Sequence, residues 1–451
     1  MERKWLVLAA VMLGSVMGPI DASVVNVVLP TIAEVFGTGI STAQWVPMVY
    51  LLMISSLLLT YGRLGDMHGY RAVYLSGLAG FAASSAVCGL SGSIGMLIAA
   101  RAVQGVTAGM MMAVGPAIIV DAFPASERGR ALGINATSIA IGLAVGPTLG
   151  GFIAAYLGWR FIFFINIPIG VAALLIASRI LPEAEPRPGE SLDLVGAGSA
   201  FVGLFSFLLI VNRWQAMGQP QRLGLAAVMA AAVLVFIRTE LTVPQPMLDL
   251  RIFSIRTFTF ANLSAMLNFM SQYILVFLTP FYLQQVMGYT PDRIGMVMVA
   301  FPLAVLLVAP VSGALSDRIG TRAPAALGAG ICALALLLMA RGEGLLGCLA
   351  LFGLGTGLFQ SPNNSAVMGS TPKKYLGIGS AVLATVRNVG MVLGIAVGGA
   401  VLAWRMPVYG GLTEAAFHDA YIVGALLTGI AAVTSLVRYR SEIAGSPPAS
   451  P

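Results

Sequence analysis

Long stretches of apolar residues, each about as long as a bilayer crossing, alternate along the chain with short polar punctuation. Fourteen can be drawn, at 5–29, 45–61, 72–91, 95–120, 131–154, 160–181, 193–212, 222–238, 257–284, 293–314, 323–340, 343–369, 377–403 and 417–437. They are too long for strands and too uniformly apolar for helices with one wet face. The pattern predicts an all-α membrane protein with fourteen transmembrane helices. The first run follows Met1-Glu-Arg-Lys4 as in a signal peptide, but it is far longer than a cleavable apolar region and reads as a retained span.

Composition sharpens this picture. Of 451 residues, 58% are hydrophobic and 10% charged, against roughly 25% charged in an average soluble domain. With a mean hydropathy of +0.90, no arrangement could hide these side chains and still present a polar surface, so a soluble enzyme is excluded. The net charge of +7 comes from basic residues at the ends of apolar runs rather than from a basic stripe, which argues for topology signals and against nucleic-acid binding. Placing the N-terminus in the cytoplasm puts 17 of the basic residues on that side and six on the other, with Arg101 and Arg387 inside spans. Both termini are therefore expected inside. Cys88, Cys332 and Cys348 lie in or beside separate runs, without metal-ligand or disulfide spacing.

An internal repeat sets the expected domain plan. Gly62-Arg-Leu-Gly-Asp66-Met-His-Gly69-Tyr-Arg71 returns as Gly313-Ala-Leu-Ser-Asp317-Arg-Ile-Gly320-Thr-Arg322, and a second alignment pairs Gly142 with Gly390, Gly146 with Gly394, and Gly150-Gly151 with Gly398-Gly399. The repeat relates span 2 to span 10, a shift of eight, whereas a plain duplication of six-span units would shift by six. Two spans are thus inserted centrally. The plan is a six-helix bundle over 1–181, two inserted helices with linkers over 182–256, a second bundle over 257–437 and a cytoplasmic tail over 438–451. Two bundles with a site between them is a transporter architecture.

Asp21 carries the most chemistry, as a carboxylate deep within span 1, some 12 Å below the outer end of its apolar run at Leu29 by helical rise. Such a group must face the bundle interior or a wet cavity, where low dielectric favours its neutral form and lets it exchange a proton. Arg101 enters span 4 from the other direction to a similar depth, so the two are expected to pair in one conformation and part in another. A permanent structural ion pair, or an Arg101 bound only to backbone carbonyls, are the competing readings. Gly142, Gly146, Pro147, Gly150 and Gly151 put small residues on one face of span 5 and a missing backbone donor at its kink, suggesting a flexible seam. Asp66 and Asp317 are expected to latch over helix N-termini, Asp66 at span 13 near Gly377 and Asp317 at span 5 near Gly129. Arg387 lies too deep in span 13 to snorkel, with substrate-facing and interhelix roles both open. Gln284, Gln285, Gln360, Asn363 and Asn364 either line a cavity or bridge helices.

At these residues the chain resembles the major facilitator superfamily, and within it the 14-spanner drug:proton antiporters. Ile20-Asp21 to Asn26 and Pro30 looks like that family's first-span motif, Gln44-Trp45 with Tyr50 its second-span signature, and Gly62 to Arg71 the superfamily loop. Leu97 to Gly105, containing Arg101, is similar to the proton-coupling motif, Gly142 to Gly151 to the antiporter motif, and Trp159-Arg160 through Asn166-Ile-Pro168 to the start of span 6. The resemblance implies a major facilitator fold and export of amphiphilic compounds in exchange for protons by alternating access. It further implies a prokaryotic inner membrane, a monomer, no cofactor beyond the proton gradient, and an Asp121 that joins Asp66, Arg71 and, by repeat, Arg322 in the latch. Met67 departs from the loop motif, where a basic residue is usual, and Gly18-Pro19 should bend span 1. No further acids occur deep in later spans, which points to neutral or monocationic lipophilic substrates. A lipid or metabolite exporter of the same fold is the alternative. An enzyme would need clustered nucleophiles, metal ligands or paired acids, which the sequence lacks.

Overall fold

The computed structural model describes residues 2–124, 126–182, 193–214, 217–243, 250–372 and 376–437. Most of the linker at 182–190, the centre of 239–256 and the tail 438–451 lie outside them. Among the described residues, fourteen helices are long and apolar enough to cross a membrane. They are α1 (Arg3–Val35), α2 (Trp45–His68), α3 (Tyr70–Gly89), α4 (Ile94–Ala122), α5 (Arg128–Tyr156), α6 (Phe161–Ile180) and α7 (Leu194–Arg213), then α8 (Gln219–Thr242), α9 (Arg256–Phe281), α10 (Pro291–Ile319), α11 (Arg322–Met339), α12 (Leu345–Ser370), α13 (Leu376–Arg405) and α14 (Glu414–Leu436). Short connections make each helix reverse its predecessor. The end where α1 begins is the near end, and its opposite the far end.

Every expected span has its helix, and the largest difference in extent is at α1. Its apolar run stops at Leu29, but the helix continues through Pro30 to Val35, because one lost backbone donor is tolerated where neighbouring helices pack around it. Asp21 therefore lies about 21 Å from the helix end rather than 12 Å, close to the middle of α1. A single π turn, Tyr282–Val286, extends α9 in the same direction.

The packing repeats as the sequence does. In the first half α1 packs on α5 and α6, α2 on α4, and α3 on α4 and α6; in the second, α9 packs on α13 and α14, α10 on α12, and α11 on α12 and α14. Each pair is its counterpart shifted by eight helices. In hydrocarbon the apolar effect does not drive helices together, so close approach at small residues must. The paired glycines supply it. Gly142, Gly146 and Gly150 lie against Ile20, Ser23 and Val24 of α1, while Gly390, Gly394 and Gly398 lie against Met266, Met270 and Ile274 of α9. The loop repeat is explained by backbone geometry: Gly69 and Gly320 end α2 and α10 at φ 87° and 82°, a conformation open to glycine and costly for other residues.

The inserted helices α7 and α8 pack on each other, and α7 also touches α2 and α13. They stand beside one seam between the halves, where the Trp45 and Phe205 rings meet edge to face at 5.9 Å.

Candidate functional site

Two polar clusters lie at depth in the membrane-spanning body, one in each half. In the first half, Asp21 and Arg101 are fully buried and form an ion pair between α1 and α4, Nη1 to Oδ2. The pair is embedded in further hydrogen bonds. Gln104, one turn after Arg101 on the same face of α4, donates from Nε2 to Asp21 Oδ1 at 3.1 Å and to Ser85 Oγ at 2.8 Å, and its Oε1 accepts from Arg101 at 2.7 Å. Asn166 of α6 donates to the same Asp21 oxygen at 2.9 Å. The Arg101 guanidinium stacks 4.1 Å from the centroid of the Tyr50 ring and reaches the Val46 carbonyl at 3.4 Å. Helices α1, α2, α3, α4 and α6 thus converge on the Asp21–Arg101 cluster, and both carboxylate oxygens are engaged by donors from α4 and α6.

This arrangement can hold a charge in hydrocarbon and respond to its removal. A buried pair is tolerable only when its remaining lone pairs and protons are satisfied, and taking one charge away leaves the other costing about 3–5 kcal/mol. Protonating Asp21 would orphan Arg101 in that sense. The Tyr50 hydroxyl on α2 is buried and without a hydrogen-bond partner. Sequence reasoning gave no role to Gln104, Asn166 or Ser85. The i, i+3 spacing of Arg101 and Gln104 was a readable signal; nothing local to α6 announced that Asn166 would point at α1.

The second cluster lies where α9, α12 and α13 meet. Arg387 donates from Nη2 to Asn364 Oδ1 at 2.6 Å and sits 5.7 Å from the Phe269 ring centroid. Gln360, one turn before Asn364, donates to Gln272 Oε1 at 3.3 Å. Asn363, on the same helix, is buried.

A third group joins the halves at the far end. Gln284 bridges α9 to α1, accepting from Thr31 Oγ1 at 3.1 Å and donating to Glu34 Oε2 at 3.0 Å. Gly151 presses on the Pro291 carbonyl at the start of α10, and Gly295 on the Pro147 carbonyl. Gly399 of α13 is met by the Gln44 side chain. The antiporter-like motif therefore has two faces, one packed on its own half and one on the other. At the near end a side chain at Gly129 or Gly133 would meet open space. Asn26, in the first-span motif, is buried with its Oδ1 unpartnered.

The residues expected to form a latch lie at the near end. Tyr70 donates to Asp66, and Arg71 reaches across to the Ser178 carbonyl on α6 at 2.7 Å. Asp121, Asp317 and Arg322 are exposed. The surroundings of Gly377 lie outside the described residues.

The model of the Major Facilitator Superfamily matches residues 11–260 and 261–451, one match to each half. The chain is 35% identical over 405 residues, 88% of each chain, to the riboflavin transporter RibZ of Clostridioides difficile. It is 33% identical over 406 residues to the multidrug resistance protein Stp of Mycobacterium tuberculosis, covering 88% of this chain and 76% of that one. Among solved structures, a D-xylose-proton symporter superposes with a TM-score of 0.69 at 14% identity, covering 96% of this chain and 97% of the other; that likeness concerns the fold. With fourteen spans, two mirrored halves and a family match along both, the chain belongs to the major facilitator superfamily of membrane transporters.

Proposed function

We propose that this protein is a proton-coupled efflux antiporter for lipophilic small molecules, working by alternating access. The observation that carries the reading is the buried Asp21–Arg101 pair with its Gln104 and Asn166 donors, a titratable group inside the moving body. Proton uptake at Asp21 removes half of the pair, and Arg101 must then repack against Gln104, the Val46 carbonyl and Tyr50. The roughly 3–5 kcal/mol at stake is close to the ~5.5 kcal/mol needed to carry a two-state equilibrium from 1:99 to 99:1. The far-end seam is the gate that this repacking releases, and the near end, taken as cytoplasmic, is the open face. Asp66, Arg71, Asp121, Asp317 and Arg322 form the opposite latch, which holds the near end in the alternate state. The membrane is the inner membrane of a prokaryote, the working unit a monomer, and the proton gradient the energy source.

Relatives named for multidrug resistance support export of drugs. A relative named as a riboflavin transporter favours a second reading, a transporter of one endogenous metabolite. Everted vesicles loaded with an imposed pH gradient separate them. Gradient-driven extrusion of several unrelated dyes is expected, with a loss of at least about 100-fold in Asp21→Asn; wild-type rates in that variant would remove Asp21 from coupling. Riboflavin transported to the exclusion of every dye would establish the second reading.

A further inference from the structure

We propose that Arg387, with Asn364, Gln360 and Gln272, forms an anion-recognition site in the second half that takes a carboxylate or phenolate on an aromatic substrate. This deepens the export reading and rests on the space between the halves being the substrate path.

The argument begins with charge. In the first half Asp21 and Arg101 cancel, and both carboxylate oxygens already have donors. In the second half Arg387 stands about 12 Å into its span, counted from Gly379. Among the described residues it has no carboxylate partner. A guanidinium offers five N–H donors, and one of them is used here, on the neutral Asn364 amide; the Nε of Arg387 is buried without an acceptor. Leaving such donors unmet within a membrane is costly, and intramembrane cations otherwise pair or face a wet cavity.

The surroundings say where the cation faces. Arg387, Asn364, Gln360 and Gln272 are each only half-buried. Four polar groups at this depth cannot expose themselves to hydrocarbon, so their open sides look onto the space between the halves. Gln360 and Asn364 lie one turn apart on one face of α12, which places two amides in line with the guanidinium. Phe269 supplies an aromatic wall 5.7 Å from it. A planar fork of donors, flanking amides and a ring suit a planar oxygen anion borne on an aromatic frame, since guanidinium binds carboxylates by two parallel hydrogen bonds. The site widens the expected substrate range from neutral and monocationic molecules to aromatic anions and zwitterions.

Two dyes built on one three-ring frame test this: anionic fluorescein and cationic rhodamine 123, titrated near neutral pH against purified full-length protein by fluorescence anisotropy. Arg387→Gln is expected to weaken fluorescein binding at least tenfold and to change rhodamine 123 binding less than twofold. Asn364→Asp, which gives Arg387 an internal carboxylate, should abolish fluorescein binding in the same way, with no truncation of the packing. Arg387→Lys, a point charge without the fork, should fall between. Failure of wild-type protein to bind fluorescein, unchanged fluorescein affinity in Arg387→Gln and Asn364→Asp, or an equal loss for both dyes would overturn the proposal. The coupling reading is scored separately, because binding needs no gradient: gradient-driven rhodamine 123 efflux without fluorescein binding sinks the anion site alone, and fluorescein binding with wild-type transport by Asp21→Asn sinks the coupling alone.

Discussion

At the scale of single residues, the behaviour of Asp21 is set by its donors. Gln104 and Asn166 both stabilise its ionised form, and a hydrogen bond to a charged group is worth about 1.5–3 kcal/mol. Removing one with Asn166→Leu leaves the Asp21–Arg101 pair short of a buried donor and is expected to slow gradient-driven transport roughly tenfold, the equivalent of about 1.4 kcal/mol. Initial rates in reconstituted vesicles read this directly, and a wild-type rate would make Asn166 a bystander. Asp21 and Arg101 could be singled out from sequence because charges in apolar runs are conspicuous. Their helpers could not, because an amide in a run such as Ile165-Asn166-Ile167 looks like any helix-bridging group until the helix opposite is known.

Helices are where the sequence was most informative, because each span carries its own apolar signal and needs no tertiary context. What it could not supply was the extension of α1 past Pro30, which depends on neighbours that shield the broken hydrogen bond, or the fact that Gly151 faces the other half while Gly150 faces its own. That distinction yields a contrast between two substitutions. A side chain at Gly151 meets backbone, the Pro291 carbonyl, whereas one at Gly399 meets the movable end of Gln44. Gly151→Leu should therefore pry the far end apart, raising the labelling of a cysteine placed at Thr31 by a membrane-impermeant maleimide, while Gly399→Ala keeps transport within about twofold. Equal labelling in Gly151→Leu and its parent would show that the seam is not held there. Cys88, Cys332 and Cys348 are buried and free, so the background for such labelling is low. At the ends of α2 and α10, Gly69→Ala and Gly320→Ala should each cost about 1–2 kcal/mol through the left-handed backbone, measured as a lowered unfolding temperature in detergent.

For the whole molecule, the repeated pairing of helices was legible from the two alignments, and the conformation was not, since one sequence serves every conformation the molecule takes. The structure has the far end shut by Thr31, Glu34 and Gln284. Cysteines at Thr31 and Gln284 joined by a short cleavable cross-linker should stop transport, and cutting the linker should restore it. Transport undiminished by the cross-link would mean that the halves do not separate at this end.

The two halves share one packing scheme but not one set of deep charges: the Asp21–Arg101 pair belongs to α1 and α4, and Arg387, without a carboxylate partner among the described residues, to α13. If fuel and cargo are handled in separate castings of the same mould, each can be exchanged without redesigning the other. Chimaeras that take residues from 257 onward from a relative of different selectivity would inherit that relative's menu while drawing on the same power supply, which is an economical route by which one scaffold could be re-tasked many times.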